Sequence, residues 1–476
     1  MEDYLQRILR ARVYDVAKET PLEKAKILSK RVGNFVWLKR EDLQPVFSFK
    51  IRGAYNCMTK YSQKELKNGV VASSAGNHAQ GVALSADYLN CRAVIVMPVT
   101  TPSVKIMAVK ALKAEVILYG ETYDESYKEA KRISDEEGLI FIHPFDDPDV
   151  IAGQGTIALE IVRQIPERPD AIYVAVGGGG LIAGVSAYIK NIWPTVEVIG
   201  VEPEDASAMT QSLKQGRRIK LNNVGLFADG VAVSKVGKNA FELSQKYVDS
   251  MITVNTDQVC AAIKDVFEDT RSILEPAGAL AVAGLKADIE KRSLKQKNLV
   301  AIACGANMNF ERLRFVAERA ELGEEKEAMF AVEIPEKEGS LRELCRILSN
   351  RSFTEFSYRM SEGNSAEIFM GLEVEDKKDR YEVKEKIQSF GLNCMDLSDD
   401  ELSKVHLRHM VGGRLPAAVK SKRGDQQKEL LYRFEFPERP GALMRFLNKM
   451  RPEWSISIFH YRNHGSDIGR IVIGVL

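Results

Sequence analysis

Short apolar runs recur through residues 1–320, each followed by a longer amphipathic stretch. That alternation narrows the available architectures more than any other feature. Val70-Val71-Ala72-Ser73, Ala93-Val94-Ile95-Val96-Met97, Glu115-Val116-Ile117-Leu118, Ile172-Tyr173-Val174-Ala175-Val176 and Leu299-Val300-Ala301-Ile302-Ala303 read as buried parallel strands. Thr101–Leu112 and Thr122–Glu137 carry helical periodicity between them. Strands and helices in this order predict a doubly wound α/β domain.

Near residue 323 the texture changes. Gly323-Glu324-Glu325-Lys326-Glu327 reads as a charged, solvated hinge, and a repeat follows it. Met329-Phe330-Ala331-Val332-Glu333-Ile334-Pro335-Glu336, leading to Gly339-Ser340-Leu341, is echoed by Leu431-Tyr432-Arg433-Phe434-Glu435-Phe436-Pro437-Glu438, leading to Gly441-Ala442-Leu443. Phe356-Ser357-Tyr358-Arg359 is likewise echoed by Phe459-His460-Tyr461-Arg462. Each copy predicts strand, Pro-Glu turn, glycine, helix, strand. The first continues with a strand over Ala366–Val374, a helix over Asp379–Phe390 and a strand over Asn393–Leu397. The second stops at Leu476, inside its third predicted strand, and reads as truncated or clipped. Val411–Gln427, with Gly412-Gly413 and a basic cluster, reads as the connector.

Composition removes several classes of function. The chain has 476 residues, with 67 basic and 66 acidic side chains and a net charge of +1, so nothing favours nucleic acid or an anionic membrane as partner. No apolar run approaches a membrane span. Met1-Glu2-Asp3-Tyr4 resembles neither a secretory signal nor a transit peptide. The six cysteines are scattered without a Cys-x-x-Cys pair, which predicts reduced thiols in a cytoplasmic protein. The histidines show no metal-ligand spacing, so no metal is expected.

Lys50 stands in Phe47-Ser48-Phe49-Lys50-Ile51-Arg52-Gly53-Ala54. An amine in apolar surroundings loses solvation of its charged form, and its pKa falls. A neutral lysine amine is a nucleophile able to form a Schiff base with an aldehyde. Its plainer reading is a helix-start lysine packed on Phe47 and Phe49. Three further segments follow predicted strands. Ser73-Ser74-Ala75-Gly76-Asn77-His78 would expose backbone N–H groups to a carboxylate or phosphate, or serve merely as an ordinary helix cap. Gly177-Gly178-Gly179-Gly180-Leu181 gives up much backbone entropy on folding, for which a phosphate cage is a better reason than a bare turn. It lacks the Gly-Lys-Ser/Thr of a Walker loop and the Gly-x-Gly-x-x-Gly of a dinucleotide site. Cys304-Gly305-Ala306-Asn307 offers a thiol that is either plainly buried or aimed at a ligand.

Together with Glu275-Pro276-Ala277-Gly278-Ala279, these segments occur in the order that resembles fold-type II pyridoxal-phosphate enzymes. Lys39-Arg40-Glu41-Asp42, Gln44-Pro45-Val46 and the paired C-terminal repeat are similar to the biosynthetic threonine deaminases, whose regulatory domain is ACT-like. The resemblance implies a catalytic domain over 1–322 made of two doubly wound α/β subdomains, the smaller over about 42–145. An α+β regulatory domain of two ACT-like units would follow, over 323–410 and, incomplete, 429–476, with a connector over 411–428. The implied cofactor is pyridoxal 5'-phosphate. Lys50 would be its Schiff-base lysine and Phe49 a ring beside it. Asn77 would bond its 3-hydroxyl, and Gly177, Gly178, Gly179, Gly180 and Leu181 would hold its phosphate. Cys304 would face the pyridine nitrogen where the family usually has serine, a weaker partner. Ser74, Gly76 and His78 would meet the substrate carboxylate.

The implied reaction is β-elimination on L-threonine, giving 2-oxobutanoate and ammonia for isoleucine biosynthesis, with Lys50 as general base. Ala75 stands where the related serine racemases have an acid–base serine, which argues against racemisation. Ala208 stands where those racemases have a metal-binding acid. Isoleucine and valine are the implied effectors, with Tyr358, Arg359, Tyr461 and Arg462 as candidate contacts or, more simply, residues packing where the copies meet. A homotetramer is expected. A catabolic serine/threonine dehydratase and an inert amino-acid sensor remain open as alternatives.

Overall fold

The computed structural model describes residues 3–323, 326–337, 339–348, 351–359, 364–400, 430–437, 442–450, 456–462 and 468–475. It divides into two compact units, Met1–Ala320 and Glu321–Leu476. Among the described residues, no helix is long and apolar enough to cross a membrane.

The first unit holds ten strands: β1 Leu22–Lys24, β2 Phe35–Arg40, β3 Val70–Ser73, β4 Ala93–Met97, β5 Glu115–Leu118, β6 Ile140–Phe141, β7 Ala171–Ala175, β8 Glu197–Pro203, β9 Ser250–Val254 and β10 Asn298–Ala303. They form two sheets, ordered β1-β2-β10-β7-β8-β9 and β5-β4-β3-β6. Every pair is parallel except β1 with β2. β3, β4 and β7 are buried throughout, as expected of strands covered by helices on both faces. The predicted strands over 172–176 and 299–303 each begin one residue earlier. The helix expected over Thr101–Leu112 is Ser103–Ala111, behind Pro102. Thr122 lies just outside the helix Tyr123–Glu137 and closes a capping box with Glu125.

One helix, Pro148–Gln164, ties the chemistry together. Its Gly153 meets Gly53 of the helix Lys50–Met58, and a Cβ there would stand 2.6 Å from the Arg52 carbonyl oxygen. On another side, a Cβ on Gly184 would stand 2.4 Å from the Ile151 carbonyl oxygen. Two small-residue contacts therefore bring the lysine helix and the helix Gly180–Ile192 backbone-close to one scaffold.

Beneath the lysine helix lies a closed set of charges. Arg52 Nε and Nη2 each donate 2.7 Å to Glu41, and Nη1 and Nη2 donate 2.5 and 2.9 Å to Glu160. Lys39 Nζ donates 2.5 Å to Glu160. All four side chains are fully buried. Two cations and two carboxylates cancel, and their hydrogen bonds offset the desolvation that buried charge costs.

Among its described residues the second unit is one antiparallel sheet of seven strands: β11 Glu327–Pro335, β12 Phe353–Arg359, β13 Ser365–Glu373, β14 Asn393–Asp396, β15 Leu430–Pro437, β16 Ile456–Arg462 and β17 Ile468–Val475. Their order is β14-β11-β13-β12-β16-β17-β15, so the two repeat copies join through β12 and β16. β17 pairs with β15 along its whole length, from Leu430↔Val475 to Pro437↔Ile468. The hinge expected at 323–327 is corrected at its far end. Glu327 opens β11, is buried, and accepts from Thr354 Oγ1. Residues 324–325 and the connector 411–428 lie outside the described residues.

Candidate active site

Lys50 is held from two sides. On one, the segment before it is stitched to the end of β10. Phe49 N donates to Cys304 O, Ala306 N donates to Phe47 O, and Ser48 bridges Gly305. On the other, Arg52 anchors the first turn of its helix in the buried charges. Lys50 Nζ donates 2.9 Å to the Pro144 carbonyl and lies 5.5 Å from the centre of the Phe49 ring. Burial pushes its pKa down to about 8, against weaker upward pulls from Cys304 and Glu275. Phe47, one of the two rings on which the plainer reading packs Lys50, is exposed instead. The apolar surroundings come from the cleft.

Lys50 opens onto a cavity lined by Phe49, Asn77, Cys304 and the Gly177–Leu181 loop. Each glycine of that loop has its own local reason. A Cβ on Gly177 would meet Val231 at 2.8 Å, one on Gly178 the Phe145 ring at 2.2 Å, and one on Gly180 the Phe145 carbonyl at 2.5 Å. Gly179 has φ +95, in the left-handed region. Phe145, Gln154 and Val231 also line the cavity and carried no motif in the sequence. Gln154 Oε1 is buried without a hydrogen-bond partner.

Asn77, first residue of the helix Asn77–Tyr88, donates through Nδ2 to Glu275 Oε1 and accepts 2.6 Å from Asn307 Nδ2. Burial raises the Glu275 carboxyl to about 7, against the Asn77 hydrogen bond that lowers it. The EPAGA run was visible in the sequence, but not a role for its carboxylate. Cys304 Sγ donates 3.4 Å to Ala277 O, and burial drives its pKa upward, so it stays a thiol. Ser74 Oγ accepts 3.2 Å from Gly76 N, and a Cβ on Gly76 would meet nothing within 4 Å. His78 is buried with Nε2 2.9 Å from Ile142 O, and burial holds its pKa down at about 3. Ser74, Gly76 and His78 are not among the residues that line the cavity.

These features match known proteins across the whole chain. The model of the pyridoxal-phosphate dependent enzymes matches residues 13–305. The model of the C-terminal regulatory domain of threonine dehydratase matches 318–407 and 421–476. The biosynthetic L-threonine dehydratase of Burkholderia multivorans is 55% identical over 99% of this chain and 92% of that protein. The chain belongs to the threonine dehydratase family. The Escherichia coli biosynthetic L-threonine dehydratase is 47% identical over 99% of this chain and 90% of its own. The solved processed form of threonine deaminase isoform 2 from Solanum lycopersicum aligns with TM-score 0.65 and 54% identity, covering 67% of this chain and 92% of that one.

A threonine dehydratase of this family uses pyridoxal phosphate, and the residues present suit it. A buried amine of lowered pKa faces a cavity. A glycine loop opens a helix of 13 residues, whose first N–H groups are free to meet an anion. The Gln154 amide oxygen, also at the cavity, is a buried acceptor without a partner. Ala208 opens a short helix, at whose start Glu202 accepts from Met209 N, Thr210 N and Thr210 Oγ1. In the regulatory unit, Tyr358 and Tyr461 are buried in the sheet's apolar core, and Tyr358 Oη donates 2.7 Å to Glu336. Arg359 and Arg462 sit in β12 and β16, and their side chains lie outside the described residues.

Proposed function

We propose that this protein converts L-threonine to 2-oxobutanoate and ammonia by β-elimination, at the entry to isoleucine biosynthesis. The observation that carries this reading is the buried Lys50 amine, with its pKa held near 8, opening into the same cavity as the glycine loop. Pyridoxal phosphate, when bound, supplies a conjugated ring that takes up the negative charge left at the substrate Cα. Phe49 would pack beside that ring, the N–H groups of Gly177–Gly180 and Leu181 would receive the phosphate, Asn77 would meet the 3-oxygen and Cys304 would face the ring nitrogen. Lys50 Nζ would hold the cofactor at rest and serve as the base for the substrate Cα proton. Ser74, Gly76 and the His78 loop receive the substrate carboxylate. Ala75 offers no proton on the opposite face, which favours elimination over racemisation.

The catalytic part is assigned to 1–322, with a small subdomain over about 42–145. The regulatory units are assigned to 323–410 and 429–476, joined by 411–428. Isoleucine inhibits and valine counteracts through the regulatory units, around Tyr358, Arg359, Tyr461 and Arg462, by binding two states of the enzyme unequally. The enzyme works in the cytoplasm as a homotetramer. Lys50→Ala protein tests the catalytic assignment. It should lose both the visible absorbance of the bound cofactor and 2-oxobutanoate formation, and retained turnover of threonine refutes the reading. Assays on threonine and serine, with and without isoleucine, separate it from a catabolic dehydratase.

A further inference from the structure

The hydrogen bonds around Asn77 run in one direction, and a main-chain group sets that direction. Asn307 Nδ2 donates 2.9 Å to the Val46 carbonyl, which can only accept. The amide nitrogen of Asn307 is therefore the end that faces Val46, and it also reaches Asn77 at 2.6 Å. Both of its hydrogens are then committed, so the Asn77 atom it meets is an acceptor, Oδ1. Asn77 Nδ2 points the other way and gives one hydrogen to Glu275 Oε1. Glu275 and Gly230 line the cavity with Asn77, whereas Val46 and Asn307 do not. A Cβ on Gly230 would stand 3.9 Å from Asn77 Nδ2. The nitrogen end of Asn77, with one hydrogen uncommitted, is the end at the cavity.

We infer that Asn307 is a positioning residue that locks Asn77 as a donor toward the cofactor's 3-oxygen, so that this oxygen is held as the anion. A hydrogen bond to the charged form favours that form. Were Asn77 free to turn over, its Oδ1 would accept from the neutral hydroxyl and favour the opposite state. Glu275 takes part as an acceptor for the other Asn77 hydrogen, and a glutamine can present the same acceptor. The inference rests on the placement of Asn77 against the ring proposed above.

The test uses the purified holoenzyme and reads the visible absorption of its bound cofactor across pH. The anionic-oxygen and neutral-hydroxyl forms absorb at different wavelengths, so the ratio of the two bands reports the oxygen directly. Asn307→Ala and Asn307→Asp should each lower that ratio at neutral pH by about ten-fold, the scale of one hydrogen bond. Asn307→Ala serves if the aspartate variant does not fold. An unchanged ratio in Asn307→Ala, with a changed one in Asn77→Ala, overturns the relay and leaves the functional reading standing. An unchanged ratio in Asn77→Ala as well overturns the placement of the cofactor itself.

Discussion

Gly153 lies against Gly53 so closely that a Cβ added to Gly153 would stand 2.7 Å from the Gly53 Cα. No side-chain movement relieves that clash, because the atoms met are main chain. Gly153→Ala should therefore push the lysine helix off its scaffold, costing about 1–3 kcal/mol as overpacking does. Thermal unfolding of the apoprotein should register the loss, and kcat should fall further than the stability change alone implies, because Lys50 moves with its helix. A variant with native melting temperature and native kcat contradicts this packing.

Arg52 is the shared partner of Glu41 and Glu160. Arg52→Met removes one cation from a fully buried, neutral set and leaves two carboxylates with Lys39 alone. Breaking such a pair from one side costs about 3–5 kcal/mol. Urea denaturation should show the drop in midpoint. Arg52→Lys should recover only part of it, since an ammonium cannot reach both carboxylates in the forked geometry.

The lowered pKa of Lys50 has a signed consequence for the cofactor-free protein. Folded Lys50 titrates near 8, against 10.5 for an ordinary lysine. Between those values the unfolded chain binds more protons, so stability rises with pH across that window. The rise amounts to about 3 kcal/mol for the single group. Tyrosines titrate there too, so the quantity to measure is the difference between parent and Lys50→Met. The stability of the parent relative to Lys50→Met should rise as pH climbs from about 8 to 10.5, and a flat difference rules out the depressed pKa.

Phe145 and Gly178 should behave as a coupled pair. Gly178→Ala drives a methyl into the Phe145 ring and should weaken retention of pyridoxal phosphate by about ten-fold or more, the scale of an overpacking cost. Phe145→Ala opens space at the same point. The double variant should regain part of the lost affinity, and a double-mutant cycle on the cofactor Kd measures the coupling. Strictly additive losses would show that Phe145 is not what excludes a side chain at 178.

The order of strands and helices, the paired C-terminal repeat and the glycine-bearing loops at the strand ends were legible in the amino-acid sequence. All three are local signals. A run such as β7 must be buried on both faces whatever surrounds it, and the glycines before the helix Gly180–Ile192 announce a backbone that something approaches. The reading also named Asn77, Glu275 and Asn307 within separate motifs. It did not join them, because their hydrogen bonds close only when residues some two hundred positions apart meet at the ends of β3 and β10. Phe145 and Gln154 carried no motif at all. Each acquires its place from the helix Pro148–Gln164 and the loop before it, seated between two other helices.

Lys50 shows the division most directly. Its neighbours in the chain identify it as a lysine set apart, with Phe47 and Phe49 as the rings its stem would pack on. In the folded protein Phe47 faces solvent. The lowered pKa comes instead from the cleft wall, and the orientation of the amine from the Pro144 carbonyl and the buried charges around Arg52. Residue type and local periodicity are properties of neighbouring positions, so the sequence alone determined which chemistry the chain carries. Desolvation and hydrogen-bond direction depend on groups distant in the chain, so only the tertiary structure decided how that chemistry is tuned.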